Sequence, residues 1–138
     1  MTTESRKPTL LCIDDNQTVL RLRKMVLESA GYSVLVASDS AAAMALFSSS
    51  VVNMVVSDHF LKDGTGIELA TAMKKLKPDV PIVIISGLVD APAGMEHADL
   101  FICKGDPLPQ VLQKISELIN SRSVAFGDKR SKSVGAQH

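Results

Sequence analysis

Three aspartates, a serine and a lysine follow apolar runs in this chain, and together they describe a site for a divalent cation and a phosphoryl group. Leu10-Leu11-Cys12-Ile13 stops at Asp14 and Asp15, and Val51-Val52-Asn53-Met54-Val55-Val56-Ser57 stops at Asp58. Ile82-Val83-Ile84-Ile85 releases the hydroxyl of Ser86, and Leu100-Phe101-Ile102-Cys103 releases the ammonium of Lys104. Carboxylate oxygens are hard ligands of the kind Mg²⁺ prefers. A hydroxyl and an ammonium suit the oxygens of a phosphoryl group. Such a set does chemistry only if the runs are neighbouring strands. In an open parallel α/β sheet the C-terminal strand ends share one edge, and ligands bind there.

The intervening segments supply helices for such a sheet. Val19, Leu22 and Val26 recur at helical spacing among Arg21, Arg23, Lys24 and Glu28, and Gly31 is placed to end that helix. Tyr32-Ser33-Val34-Leu35-Val36-Ala37 reads as a second strand. Asp39 or Ser40 is placed to cap a helix through Ala41, Ala42, Ala43, Met44, Leu46 and Phe47. A glycine-bearing loop (Gly64, Gly66) leads from Asp58 to a helix with Ile67, Ala70 and Met73 inward, and Lys77-Pro78 breaks it. Between Ser86 and Lys104 only Ala91 to His97 offers a helix, weakened by Pro92 and Gly94, so this crossover is expected to be short or irregular. A last helix carries Val111, Leu112, Ile115, Leu118 and Ile119. Alternating strands and helices predict βαβ units and a parallel sheet.

The 138 residues make one domain, with an N-terminal extension over 1–8, an ordered region over 9–120 and an expected disordered tail over 121–138. Hydrophobic content of 46% and charged content of 22% describe a folded, soluble chain. Lys+Arg and Asp+Glu both number 15, so no net basic field favours nucleic acid. No apolar stretch approaches the roughly 20 residues of a membrane span, and the N-terminus lacks the apolar core of a secretion signal. Cys12 and Cys103 each lie inside an apolar run and read as small buried hydrophobes, not a disulfide. A cytoplasmic location is expected.

From about Thr9 to Ile119 the chain resembles the receiver domain of bacterial two-component response regulators. The likeness rests on Asp14, Asp15, Asp58, Ser86 followed by Gly87, Phe101 and Lys104, in that order on separate strand ends. It implies a flavodoxin-like doubly wound five-stranded parallel sheet, order 2-1-3-4-5, with helices on both faces. It implies Asp58 as phosphoacceptor and Mg²⁺ (with Mn²⁺ as an alternative) held directly by Asp15, Asp58 and the backbone carbonyl of Phe60, with Asp14 acting mostly through water. It implies Ser86 and Lys104 as phosphoryl-binding groups, and Ser86 and Phe101 as the switch pair. The donor would be a phosphohistidine on a histidine kinase or a histidine phosphotransfer protein. The chain would be a stand-alone phosphoacceptor, not an enzyme with a separate substrate, and would act on a downstream protein without touching nucleic acid or membrane. A homodimer stays open, with helices one, four and five as candidate surfaces.

The chain departs from the family in three places. Gly105 follows Lys104 where the family has a cis proline. Without proline a cis peptide costs about 2.5–4 kcal/mol, so this turn is expected to be built differently. Lys62 stands four residues after Asp58 where proline is common, and the fourth crossover is short. The residues two beyond Asp58 and Ser86, Phe60 and Leu88, are apolar and placed to obstruct water, which predicts slow self-dephosphorylation.

Plainer readings exist for each residue. Asp14 is at a position to cap the following helix, and His59 reads as a loop residue lining the site. A phosphorylation-independent interaction module is the alternative function. An aspartate-based phosphohydrolase is disfavoured because Phe60 occupies the position of its second aspartate. A flavin-type cofactor binder is disfavoured because Asp14-Asp15-Asn16 is not a phosphate loop.

Overall fold

The computed structural model describes residues 7–88 and 90–132, with side chains through Ser121. The chain divides into two compact units, residues 1–106 and 107–138. The first contains β1 (Thr9–Ile13), α1 (Gln17–Ser29), β2 (Ser33–Ala37), α2 (Ser40–Ser49), β3 (Met54–Asp58), a short hairpin of β4 (Phe60–Leu61) and β5 (Gly64–Thr65), α3 (Gly66–Leu76), β6 (Ile82–Ser86), a single 3₁₀ turn (Met95–His97) and β7 (Leu100–Cys103).

β1, β2, β3, β6 and β7 form one parallel sheet in the order β2-β1-β3-β6-β7. Leaving aside the hairpin, this is the expected 2-1-3-4-5 order. The chain leaves β1 toward β2 and returns on its other side as β3, so the two winding directions part between β1 and β3. Alternating residues face opposite sides, as the pleat requires. Leu11, Ile13, Val55, Ile82 and Ile84 join Ala43 and Phe47 of α2 and Ile67, Leu69, Ala70 and Met73 of α3 in one buried cluster. Leu10, Cys12, Met54, Val56 and Val83, equally buried, face the other side. Burial pushes the Cys12 thiol up to about 12, so it is packing and not a nucleophile.

Local chemistry sets the helix boundaries. Asn16, not Asp14, caps α1: its Oδ1 accepts from the Thr18 and Val19 N–H groups. Gly31, at φ 103°, ends α1. Tyr32 N–H donates to Leu27 O and Gly31 N–H to Glu28 O, which together make a Schellman motif. The inward face of α1 is Leu20 and Leu27; Leu22 is exposed, which corrects the Val19-Leu22-Val26 expectation. Asp39 caps α2 by accepting from Ala42 N–H. Thr65 and Glu68 form a capping box at α3, each side chain accepting from the other's N–H.

The fourth crossover holds no α-helix among the described residues, only the 3₁₀ turn after Gly94, which sits at φ 89°. A Cβ at Gly94 would meet Ile67 Cγ2 at 2.7 Å, so the segment lies tight against α3. Asp99 anchors its far end. One carboxylate oxygen accepts from Lys74 Nζ at 2.7 Å and from Ile82 N–H at 2.8 Å, while Asp99 N–H donates to Ile82 O.

The second unit is the helix α4 (Leu108–Lys132). It runs through Lys132, into the segment over 121–138 that was expected to be a tail. Residues 133–138 and most of the extension over 1–8 lie outside the described residues.

Asp99→Ala leaves Lys74 and the Ile82 N–H without this shared acceptor and should cost about 2 kcal/mol, read as a lower urea midpoint at unchanged m-value.

Candidate functional site

Strand register brings the polar residues together. Ile13 pairs with Ser57, Asp58 with Ile85, and Ser86 with Cys103, so Asp14, Asp58, Ser86 and Lys104 leave the sheet at nearly the same level. Backbone bonds continue the sheet one step past the strands. Asp14 N–H donates to Ala37 O, His59 N–H to Ile85 O, and Lys104 N–H to Ser86 O. The five side chains therefore surround the edge where winding reverses.

Carboxylate oxygens of Asp14, Asp15 and Asp58 lie within 4.8 Å of one another. Asp14 and Asp58 are buried, and Asp15 is half-buried. Asp14 Oδ1 accepts from Asn16 N–H at 2.9 Å, while Asp14 Oδ2 and Asp58 Oδ1 have no hydrogen bond among the described residues. Lys104 Nζ stands 3.0 Å from Asp58 Oδ1, and Arg23 stands 3.6 Å from Asp14 Oδ2. Burial raises the Asp14 pKa; the Asn16 N–H opposes the rise, the Asp58 charge adds to it, and Arg23 and Lys104 oppose it. Three oxygen donors at one point, two of them buried and unsatisfied, fit a hard divalent cation. No nitrogen or sulfur ligand belongs to this cluster.

Ser86 is fully buried, and its Oγ accepts from Leu88 N–H at 3.1 Å, which leaves its own proton to donate. Phe101 is half-buried and packs against the cluster between the sheet and helices α2 and α3. Phe60 and Leu88, which flank the site in sequence, are both exposed. His59 is buried with its ring edge against Phe60 and its Nδ1 without a hydrogen bond among the described residues. It adds no ligand atom to the acidic cluster.

The turn after β7 is built without a cis peptide. Asp106 closes it: its N–H donates to Cys103 O and its carboxylate accepts from Cys103 N–H at 3.3 Å. Lys104 thus keeps its place through a side chain two residues on.

Four supporting residues escape a motif reading. Ser57 Oγ donates to Asp58 O at 2.8 Å. A Cβ on Gly66 would meet that same oxygen at 2.6 Å, so only glycine lets α3 begin this close to the end of β3. Asp63 accepts from Ser40 N–H with both oxygens at 3.0 Å, tying the hairpin tip to the start of α2, and that bond holds its carboxyl below the usual range. Arg23 is the fourth. Only Gly66 carried a sequence signal, as part of the glycine-bearing loop.

A doubly wound parallel sheet with an acidic triad and a lysine at the C-terminal ends of its strands defines a domain of the flavodoxin-like class with a candidate cation site. The response regulator receiver domain family model matches residues 10–116, and the chain belongs to that family. The transcriptional regulatory protein GlrR of Escherichia coli (strain K12) is 26% identical over 135 residues, covering 94% of this chain and 30% of GlrR. The photosynthetic apparatus regulatory protein RegA of Rhodovulum sulfidophilum is 32% identical over 80 residues, covering 58% of this chain and 44% of RegA. The chain thus spans less than half of either relative. A CheY-like receiver domain protein from Methanospirillum hungatei JF-1 superposes with a TM-score of 0.81 at 25% identity, covering 87% of this chain and 99% of that one. The non-phosphorylated HemR receiver domain from Leptospira biflexa gives 0.75 at 29% identity, with 82% and 94% covered.

Because burial and Asp58 outweigh the groups that favour its charge, ionised Asp14 subtracts from the stability of the metal-free fold. Asp14→Asn, which keeps the Asn16 acceptor, should raise the metal-free melting temperature and shrink the rise produced by Mg²⁺. The penalty exists above the folded-state pKa and vanishes below the ordinary carboxylate range, so the gain from Asp14→Asn should fade as pH falls from 7 toward about 4. Thermal melts across that range check both.

Proposed function

We propose that this domain accepts a phosphoryl group on Asp58 from a phosphohistidine of a histidine kinase or phosphotransfer protein. Mg²⁺ (or Mn²⁺) would be held by Asp14, Asp15, Asp58 and the backbone carbonyl of Phe60. The observation that carries this reading is the convergence of the three carboxylates within 4.8 Å, with Lys104 Nζ 3.0 Å from Asp58 Oδ1. Receiver domains as a family bind Mg²⁺ at such an acidic pocket and act between histidine kinases and downstream effectors.

The chemistry needs few groups. An Asp58 oxygen attacks phosphorus in line, the phosphorus–nitrogen bond to the donor imidazole breaks, and the imidazole leaves with the bonding pair and takes up a proton. An ionised carboxylate is already nucleophilic, so no general base is required. The obstacle is charge, because a carboxylate must approach an anion. Bound at the triad, the cation would neutralise that repulsion. Lys104 transfers its ammonium from Asp58 to the incoming phosphoryl oxygens, and its 48% exposed side chain leaves room to do so. Ser86 turns its free proton toward a phosphoryl oxygen. Phe101 follows into the space vacated, and the surface offered to a partner protein changes. The domain promotes only its own phosphorylation and dephosphorylation. We assign it no nucleic-acid contact of its own, consistent with its balanced charge. No helix among the described residues is long and apolar enough to cross a membrane, and a cytoplasmic site of action fits that.

Incubation with phosphoramidate should yield a Mg²⁺-dependent phosphoryl adduct by intact mass, absent from Asp58→Ala and slowed in Lys104→Ala. No adduct, together with no Mg²⁺ binding, would favour a phosphorylation-independent interaction module. Phe60 and Leu88 should impede attacking water. The phosphorylated chain should then persist for minutes or longer after the donor is removed, and Phe60→Ala with Leu88→Ala should shorten that lifetime. A wild-type lifetime of seconds would overturn the shielding role.

A further inference from the structure

Arg23 occupies a position where α1 should bury a hydrocarbon. It lies three residues after Leu20 and four before Leu27, the two buried residues of this helix, and so shares their inward face. Its side chain is only 16% exposed. Its guanidinium is close enough to Cys12, on the α1 side of β1, to oppose the rise that burial imposes on that thiol. A leucine or methionine there would bury more apolar surface at no desolvation cost.

The ion pair itself does not account for the residue. Arg23 Nη1 stands 3.6 Å from Asp14 Oδ2, too far for a hydrogen bond, and neither atom has another hydrogen-bond partner among the described residues. A structural arginine would use its fork bidentately. Here charge alone couples the two groups, and Asp14 Oδ2 stays free of any directed bond. The arrangement mirrors the one at Asp58, where Lys104 faces the other unsatisfied buried oxygen. Each buried carboxylate of the triad thus has one cationic side chain facing its unsatisfied oxygen. Unlike Lys104, Arg23 is nearly enclosed, and it cannot lose its charge.

We propose that Arg23 is an internal counter-ion of the cation site: it offsets the Asp14 charge in the metal-free protein and opposes, by its own charge, a divalent cation that would be held at the triad. This role rests on the metal site of the preceding section. Its consequence is a weaker and more readily exchanged cation than three carboxylates alone would hold. It also gives a metal-free fold that tolerates its own acidic cluster.

Isothermal titration of the full chain with Mg²⁺ tests it, using wild type, Arg23→Gln, Arg23→Met, Arg23→Lys, Asp14→Asn and the Arg23→Gln/Asp14→Asn double variant. Removing the charge should tighten Mg²⁺ binding on the order of tenfold and widen the gap in melting temperature between the metal-free and the Mg²⁺-saturated protein. Arg23→Lys should stay near wild type. In the Asp14→Asn background, Arg23→Gln should change affinity far less. Unchanged or weaker binding in Arg23→Gln and Arg23→Met overturns the proposal, as does an equal effect with and without the Asp14 carboxylate. A wild-type chain that binds no Mg²⁺ would instead defeat the metal site itself.

Discussion

The mutual repulsion of three carboxylates held at one sheet edge is the constraint on which the rest of this structure depends. Two of them are buried, and each retains an oxygen with no hydrogen bond among the described residues. Burying a carboxylate without compensation is unfavourable enough to push its pKa up, and Asp14 responds in that direction. The fold answers with Lys104 at Asp58, Arg23 and the Asn16 N–H at Asp14, and a half-buried position for Asp15. The remaining negative charge is what fits the site to a small hard cation.

Holding such a cluster requires a rigid frame, and the frame is mostly backbone. Parallel register sets the four strand ends level, and one further hydrogen bond beyond β1, β3 and β7 extends the order into the loops. The segment after Asp58 is the most constrained. Ser57 bonds its carbonyl, Gly66 leaves space for that carbonyl, and the β4–β5 hairpin is tied by Asp63 to the start of α2. These contacts hold the backbone of Asp58 without occupying its side chain.

Of the departures from the family, Lys62 lies on that hairpin, while Gly105 and the fourth crossover lie outside it. The turn carrying Lys104 is closed by Asp106, and the fourth crossover is a 3₁₀ turn braced by Gly94 against Ile67 and by Asp99 against Ile82. A switch in which Ser86 and Phe101 move would therefore transmit through a segment with one helical turn where a full helix would present a face.

Asp14, Asp15, Asp58, Ser86 and Lys104 were legible in the sequence because each follows an apolar run, and burial on both faces makes such runs strands whatever their neighbours. The glycine at Gly31, the aspartate cap at Asp39 and the weak fourth helix were legible for a similar reason: each is a local preference of a few residues. The Thr65-Gly66-Ile67-Glu68 capping box and the Asn16 cap carried local signals too, but the acidic pair drew the reading toward Asp14. What only the tertiary structure decided were the relations between distant segments. The pairing of Asp63 with Ser40, the gap at Gly66, the brace at Asp99 and the inward face of α1 all depend on which surfaces meet. Arg23 shows why most clearly: a one-residue error in the helix face turns a buried counter-ion into an ordinary surface charge, and periodicity alone cannot distinguish the two when the helix also carries exposed leucine and methionine.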